Sequence, residues 1–235
     1  MPDVPEIQNI DYNQHVRLVG TAHFTRRSLE DAHEYVKTCE PNEIALELDL
    51  ERFRHLDAAP LKGSRWPLRK RICEFIGASN ALGNTDANIW LIDMTEEQIR
   101  ERINEFMTPM ERSNLRYTPY HYYQNPVVLW EKGYKQKVID KTKRQIEKER
   151  RYVPSLWRVL IDERNTLMAA RTAWIVNSSL DRKERPRMLA FVGAAHTDGI
   201  RELLQDPTRI KKNLEEYQLS YTEPALVRKI SIQEI

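Results

Sequence analysis

Short apolar runs alternate along the chain with segments in which apolar residues recur at helical spacing. Three of the runs, at 16–22, 43–50 and 188–196, are rich in β-branched, leucine or aromatic residues and are short enough to be buried strands. A helical pattern capped by Ser28 and Asp31 separates the first two runs. A connection of this length favours parallel pairing with a right-handed crossover. The chain is therefore predicted to open as strand, helix, strand.

Helical patterns dominate the chain between the second and third of these runs. A short apolar run at 88–93 predicts another strand, and Thr95 with Gln98 predicts the N-terminal cap of the helix that follows it. A polar helix is predicted over 127–150 because KQKVIDKTKRQIEKER, at 135–150, contains no glycine or proline and has one apolar side. An amphipathic helix is predicted over 155–178.

These elements predict an α/β fold in a single domain that spans 1–235. Its central sheet is mostly parallel and flanked by helices, and a long helical insertion at about 57–152 lies between the second and the last core strand. The alternating segment 226–232 predicts a half-exposed edge strand. The stretch 109–126 is rich in proline and tyrosine and predicts no element.

Composition and net charge indicate which partners and which cellular compartment to expect for the chain. The chain is 40% hydrophobic and 31% charged with a net charge of +2, so no overall field draws it to nucleic acid or membrane. The basic helix at 127–150 is interpreted as a solvated surface that could support a homodimer, and nucleic acid is not an expected partner. Cys39 and Cys73 lie in apolar helical patterns, which indicates reduced, buried thiols. The N-terminal residues lack a leader pattern, and we expect a cytoplasmic protein without membrane contact.

The chain repeats one four-residue pattern, GTAH at 20–23 and GAAH at 193–196, each time at the C-terminal end of a predicted strand. In an open α/β sheet, ligands bind outside the carboxyl ends of the strands. Glycine lets the backbone approach closely there, and the pattern then places a histidine at the rim. His23 and His196 are therefore predicted to face one pocket.

Glu47 lies inside the otherwise apolar run of the second predicted strand. A carboxylate without a partner is costly to bury, so this side chain needs a cation beside it. A metal ion, an arginine or a histidinium would each serve, and Arg52 follows closely in the sequence. A structural salt bridge from Glu47 to a helix is the alternative.

The predicted helix at 155–178 carries charge on its core-facing side. Glu163 lies in a continuous apolar stripe, and the adjacent stripe carries Arg164 and Arg171 among bulky apolar residues. Buried charges of both signs indicate a charged site that faces the sheet. The same pattern is also typical of an internal ion network without any chemistry.

With these residues identified, the chain resembles the TraB/PrgY (pheromone-shutdown) family, which is related to the Tiki proteases and more distantly to the erythromycin esterases. The matching segments are LVGTAH at 18–23, ELDLERF at 47–53, IDERNTLMA at 161–169 and VGAAHTDGI at 192–200. The chain departs from the family pattern in two places, with Asn165 where the family has aspartate and Asp93-Met94 where it has Asp-Arg. The hydrophobic C-terminal region of many family members is also absent.

The resemblance implies a hydrolase, and in Tiki-like members a peptidase that depends on a divalent metal. Carried over, His23, Glu47 and His196 would hold Mn²⁺, Co²⁺ or Zn²⁺ and be needed for activity. Glu163 and Arg164 match the acidic-arginine pair of the family, so Glu163 or Glu47 is the expected base. The substrate is then a peptide or a small molecule.

Two alternatives to a metal-dependent hydrolase stay open. In a metal-free, esterase-like mechanism one histidine activates water and the Glu163–Arg164 pair orients the substrate. In a non-catalytic module the same crevice binds and sequesters a peptide or small ligand. Arg52 and Arg171 are candidate substrate contacts in each case. The tyrosines at 117–123 either line an entrance or pack a loop onto the core.

Overall fold

One mixed sheet organises the molecule. A computed structural model describes residues 6–57, 73–83, 87–117 and 126–227 of the chain. Within these ranges five strands pair in the order β1-β4-β2-β3-β5. The strands are β1 Val16–Thr21, β2 Glu43–Leu46, β3 Asn88–Leu91, β4 Met188–Gly193 and β5 Ala225–Val227.

The strand pairing confirms the predicted, mostly parallel α/β architecture. β1, β4, β2 and β3 run parallel to their neighbours, and β5 runs antiparallel to β3 at the edge. The edge strand predicted at 226–232 begins at Ala225, and the residues after Val227 lie outside the described ranges. The carboxyl ends of β1, β2 and β4 therefore meet at the same edge of the sheet.

Helices cover both faces of the sheet. Before the long segment that leads into β4, they are α1 Arg26–Cys39, α2 Leu50–Asp57, α3 Glu74–Ala81, α4 Glu96–Phe106, α5 Pro109–Tyr117, α6 Pro126–Glu131 and α7 Lys135–Arg150. The amphipathic helix predicted over 155–178 is confirmed as α8 Pro154–Trp157, a π-helical turn Arg158–Glu163 and α9 Arg164–Asp181 in one continuous run. The helices α10 Thr197–Gln205 and α11 Thr208–Glu216 follow β4.

Alternate residues of the central strands supply two apolar cores. Ala45 and Ala190 point to the side covered by α9, α10 and α11. Ile44 and Phe191 point to the side covered by α1, α2 and α3. Because both faces are buried, the strands read as continuous apolar runs, and this is why their positions could be predicted.

The N-terminal cap of α1 differs from the prediction. The structure places Thr25 at the cap, where its Oγ1 accepts a hydrogen bond from the Ser28 backbone N–H at 3.2 Å. Ser28 lies within the first turn, is buried, and accepts bonds from Ala22 N–H and Trp130 Nε1–H. The Ser28 hydroxyl thus makes tertiary hydrogen bonds instead of capping the helix, and the local sequence pattern does not show these contacts. The capping box predicted for Thr95 and Gln98, in contrast, is confirmed.

The single helix predicted over 127–150 was wrong. Two helices occupy this stretch, and the chain turns between them at Gly133, which has φ of 85°. This left-handed conformation is open to glycine and interrupts the helical hydrogen bonds. α6 can therefore pack its Trp130 against α1 while α7 takes a separate direction.

Three further predictions concern the environment of the chain. No helix in the described ranges is long and apolar enough to cross a bilayer. Both cysteines are free thiols, and only Cys73 is fully buried. Of the tyrosine cluster at 117–123, Tyr120, Tyr122 and Tyr123 lie outside the described residues.

Candidate functional site

The two histidine loops leave the sheet side by side. In the parallel pair of β1 and β4, Thr21 lies opposite Gly193, so His23 and His196 emerge from adjacent strand ends. A Cβ at Gly193 would lie 3.0 Å from His23 Nε2 and 3.3 Å from Glu47 Oε2. Glycine is therefore needed at this position because three functional groups crowd around its Cα.

Glu47 occupies the centre of this arrangement. Its side chain is only 3% exposed, and its Oε2 accepts a hydrogen bond from the Gly193 N–H at 2.5 Å. Its Oε1 accepts from Arg164 Nη2 at 2.5 Å. The same Oε1 lies 3.6 Å from His23 Nε2 and 3.5 Å from His196 Nε2. The two histidines thus converge on Glu47, but only His23 lines the cavity beside it, so the prediction that both face one pocket holds for His23 and not for His196.

Each imidazole ring is held by a hydrogen bond at Nδ1, the nitrogen that does not face Glu47. His196 Nδ1 donates to the side-chain oxygen of Asn165 at 2.7 Å, and His23 Nδ1 donates to Glu74 Oε1. An amide oxygen can only accept, so the proton of His196 is on Nδ1, and Nε2 accepts a hydrogen bond from Arg164 Nη1 at 3.2 Å. Each ring therefore presents Nε2 to the shared carboxylate.

Glu74 was missed by the sequence reasoning. It is fully buried at the start of α3, its Oε1 also accepts from Thr21 Oγ1 at 2.8 Å, and its Oε2 has no partner among the described residues. The signal that could have found it is the one that singled out Glu47, an acidic residue within an apolar pattern (CEFIGA at 73–78). Asn165 was noted in the sequence only as a departure from the family pattern. It is a second residue that orients an imidazole ring of the site.

Arg164 links Glu47 to a second buried carboxylate, Asp93. Its Nε donates to Asp93 Oδ1 at 2.9 Å and its Nη2 to Asp93 Oδ2 at 2.7 Å. Arg52 approaches Asp93 Oδ2 from the other side at 2.8 Å and also binds Asp49 and the Met94 carbonyl. Asp93 is thereby held by two guanidinium groups, and Arg164 is fixed between two carboxylates.

The charges of the cluster follow from this packing. Burial alone would raise the pKa of Glu47 and Asp93, but the adjacent cationic groups, Arg164 among them, outweigh burial and lower both pKa values. Burial would lower the pKa of His23, but the carboxylates of Glu47 and Glu74 outweigh it and raise that pKa to about 10. Burial dominates at His196 and lowers its pKa. At neutral pH Glu47 and Asp93 are therefore ionised, His23 is positive and His196 is neutral.

A cavity of about 330 Å³ opens beside His23 and Glu47. The other residues that line it are Phe24, Leu48, Arg52, His55, Leu56, Phe75 and Glu96. His196 is buried behind Glu47, with its side chain only 6% exposed. A ligand in the cavity would thus meet His23 and Glu47 first, and Arg52 is the predicted substrate contact that the cavity includes.

Glu163 and Arg171 do not join this cluster. Glu163 is fully buried, and its hydrogen-bond partners among the described residues are Arg102, at 2.8 and 2.9 Å, and Arg158, at 2.9 Å. Consecutive helical side chains point about 100° apart, so Glu163 faces α4 while Arg164 faces Glu47. Arg171 is 7% exposed and binds the Asp93 carbonyl and Thr222. Neither residue lines the cavity.

The donor types at the centre fit a divalent metal ion. Two imidazole nitrogens and one carboxylate oxygen form a common ligand set, and acceptors behind Nδ1 are the usual partners of metal-bound histidine. As the side chains stand, no three His, Cys, Asp or Glu residues in the described ranges are spaced to hold a metal. Arg164 occupies the position of a cation, because Nη2 binds Glu47 Oε1 and Nη1 lies 3.2 Å from His196 Nε2.

Comparison of the chain with protein-family models, curated proteins and solved structures found no match. The resemblance to the TraB/PrgY family therefore stays a prediction.

Proposed function

We propose that the chain is a hydrolase whose reaction takes place where the cavity meets His23 and Glu47. The observation that carries this proposal is the approach of two imidazole Nε2 atoms, at 3.6 and 3.5 Å, to one oxygen of a buried carboxylate. Buried ionisable groups brought together beside a cavity are typical of active sites. The substrate is a peptide or a small molecule with a hydrolysable amide or ester bond.

His23, Glu47 and His196 would hold a divalent metal, with Mn²⁺, Co²⁺ and Zn²⁺ as candidates. His23 would have to release the proton on its Nε2 first, because only a neutral imidazole binds a metal. When bound, such an ion lowers the pKa of water to about 7 and polarises a carbonyl group. Glu74 and Asn165 orient the two rings, and the Gly193 N–H fixes the carboxylate from its other oxygen. Because the Glu47 and Glu74 carboxylates flank His23, this position attracts positive charge.

Arg164 sets a condition on metal binding. Its guanidinium must withdraw from Glu47 Oε1 and His196 Nε2 before these atoms can bind an ion. Its two hydrogen bonds to Asp93 can retain the side chain while it moves. Arg164 would then stand beside the site as a donor for a carbonyl or carboxylate oxygen of the substrate.

The position of Arg164 also favours a second candidate, hydrolysis without a metal. In that form the guanidinium is the permanent cation of the site. Glu47 takes a proton from the attacking water, whose oxygen bonds to the carbonyl carbon, and the positively charged His23 donates its proton to the leaving group as the scissile bond breaks. The neutral His196 then has Arg164 and Glu47 as its neighbours and holds their geometry.

The test is hydrolysis of a panel of peptides and aryl esters by the purified chain, with Mn²⁺, Co²⁺, Zn²⁺ or EDTA, together with its metal content. His23→Ala, His196→Ala and Glu47→Gln are assayed beside His33→Ala, a histidine on α1 outside the cluster. Metal-dependent turnover that only the first three variants lose supports the first mechanism. Turnover that resists EDTA and is lost in the same variants supports the second.

Absence of turnover under every condition, with folded protein, contradicts both mechanisms. In that case the remaining function for the cavity is binding of a peptide or small ligand. Titration of the same panel into the wild-type chain by calorimetry then replaces the assay.

A further inference from the structure

Three rings stand around the cavity beside the proposed reaction centre. The His23 ring centroid lies 6.4 Å from that of Phe24 and 5.8 Å from that of Phe75, and all three residues line the cavity. Leu48 and Leu56 complete an apolar wall. Rings at these separations present faces and edges that a further aromatic group can contact.

Phe24 is placed in this wall against its backbone preference. Its φ is 60°, a left-handed conformation that bulky residues rarely adopt, and the side chain is 45% exposed. The Ala22 carbonyl accepts from Thr25 Oγ1, and the Ala22 N–H donates to Ser28 Oγ, so the loop is tied on both sides of His23. A phenylalanine at this position is neither buried nor in a favourable backbone conformation. A contact between its ring and a ligand would account for it.

We propose that the cavity is an aromatic subsite, and that the substrate carries an aromatic side chain next to the bond that is cleaved. This inference rests on the proposed hydrolase function. The cavity of about 330 Å³ lies at the small end of ligand pockets, so it suits one side chain and its adjoining carbonyl group rather than a long segment. The ring would contact Phe24 and Phe75 while the carbonyl group faces His23 and Glu47.

The charged residues of the cavity do not favour an ionic occupant. Arg52 and Glu96 have opposite signs, as have His23 and Glu47. Arg52 is already bound to Asp49 and Asp93. An apolar occupant removes water from the leucine and phenylalanine side chains, whereas a carboxylate or ammonium would lose hydration against the same apolar wall. The balance of the lining therefore selects an aromatic group.

The experiment measures binding and turnover separately. N-acetyl-para-fluorophenylalanine amide is titrated against the chain by fluorine NMR, with N-acetylalanine amide as an unlabelled competitor. We expect Phe24→Ala and Phe24→Gly to weaken binding of the fluorinated probe about tenfold, and Phe24→Tyr to keep it. Met110→Ala, at an exposed residue of α5 that does not line the cavity, is the control and should bind as the wild type does.

Phe24→Gly guards against a folding artefact, because glycine adopts this φ without strain and the variant should melt no lower than the wild type. Unchanged probe affinity in both Phe24→Ala and Phe24→Gly, or no binding by the wild type, overturns the subsite. Turnover of phenylalanine and alanine ester substrates at equal kcat/KM also overturns it, while hydrolysis itself stands. Phe24-dependent binding without any turnover supports the subsite and contradicts the hydrolase.

Discussion

The π-helical turn and α9 carry two buried ionic clusters that begin at consecutive residues, one at Glu163 and one at Arg164. In the Glu163 cluster, Arg102 and Arg158 surround a single carboxylate, and Arg102 also binds the Tyr217 carbonyl. In the Arg164 cluster, the guanidinium group binds the Glu47 carboxylate directly, and two histidines lie beside that carboxylate. This cluster borders a cavity through His23 and Glu47.

The two clusters differ in whether their polar atoms are all paired or are left exposed or without a partner. Both oxygens of Glu163 are bound by guanidinium groups, and this is the geometry of a structural ion pair. His23 has a third of its side chain exposed, and Glu74 Oε2 is buried without a partner among the described residues. Buried charge alone thus does not indicate a site, whereas convergent histidines and incomplete pairing beside a cavity are the basis of the proposed one.

The largest expected effect is on turnover in Glu47→Gln. Glutamine keeps the shape but loses the charge that both histidines and Arg164 face. We expect kcat/KM to fall about a thousandfold, which corresponds to about 4 kcal/mol of transition-state stabilisation. Steady-state kinetics on protein with a wild-type circular dichroism spectrum measures this loss. Retention of kcat/KM within threefold would remove Glu47 from the mechanism.

Glu163→Gln should have the opposite profile. This change removes the buried charge that Arg102 and Arg158 both bind and leaves Arg102 beside the exposed Glu105, so we expect the free energy of unfolding to fall by about 3 kcal/mol. The turnover of the folded fraction should stay near that of the wild type. Urea denaturation and kinetics on the same sample measure both quantities. Loss of turnover without loss of stability would restore Glu163 as the base that the family resemblance implies.

Asn165 offers a test of the support behind His196. Asn165→Leu removes the acceptor for Nδ1, and we expect metal affinity or kcat/KM to fall about 10- to 100-fold. Asn165→Asp keeps an acceptor and should recover most of the loss. Metal titration by calorimetry, followed by kinetics, provides the comparison. Equal behaviour of the two variants would show that Asn165 does not orient the ring.

The smallest effect concerns acid stability. The pKa values of Asp93 and Glu47 lie below their ordinary values of 3.8 and 4.5, so their ionised forms stabilise the fold above these values. That stabilisation is lost as the pH falls through the lower pKa values of the folded state. Asp93→Asn should therefore show a shallower loss of unfolding free energy between about pH 5 and pH 2 than the wild type. Parallel slopes in urea titrations would contradict this assignment.

Much of the fold could be predicted because the central strands are buried on both faces. The apolar runs at 16–22, 43–50 and 188–196 match β1, β2 and β4. The repeated histidine pattern correctly indicated that the two rings lie close together, but only His23 reaches the cavity. The helix break at Gly133 was missed because the prediction rested on 135–150, which has one apolar side and contains no glycine or proline, and was extended back to 127 across the glycine. The glycine itself was the available signal.

The partners of each buried charge could not be predicted from local pattern. Helical periodicity places both Glu163 and Arg164 on buried stripes, but the identity of the neighbour depends on which residue another element supplies. Arg102 comes from α4, 61 residues away in sequence, and Glu74 reaches His23 from 51 residues away. These are tertiary contacts, and they decide which charged residue belongs to the candidate site.

The measurement that tests the central claim most directly is hydrolysis of the peptide and aryl ester panel by the wild type, Glu47→Gln and Glu163→Gln, assayed side by side with added Mn²⁺, Co²⁺ or Zn²⁺ and with EDTA. The account predicts turnover by the wild type and by folded Glu163→Gln, and its loss in Glu47→Gln. Equal turnover by wild type and Glu47→Gln, or none by any folded protein, would contradict it.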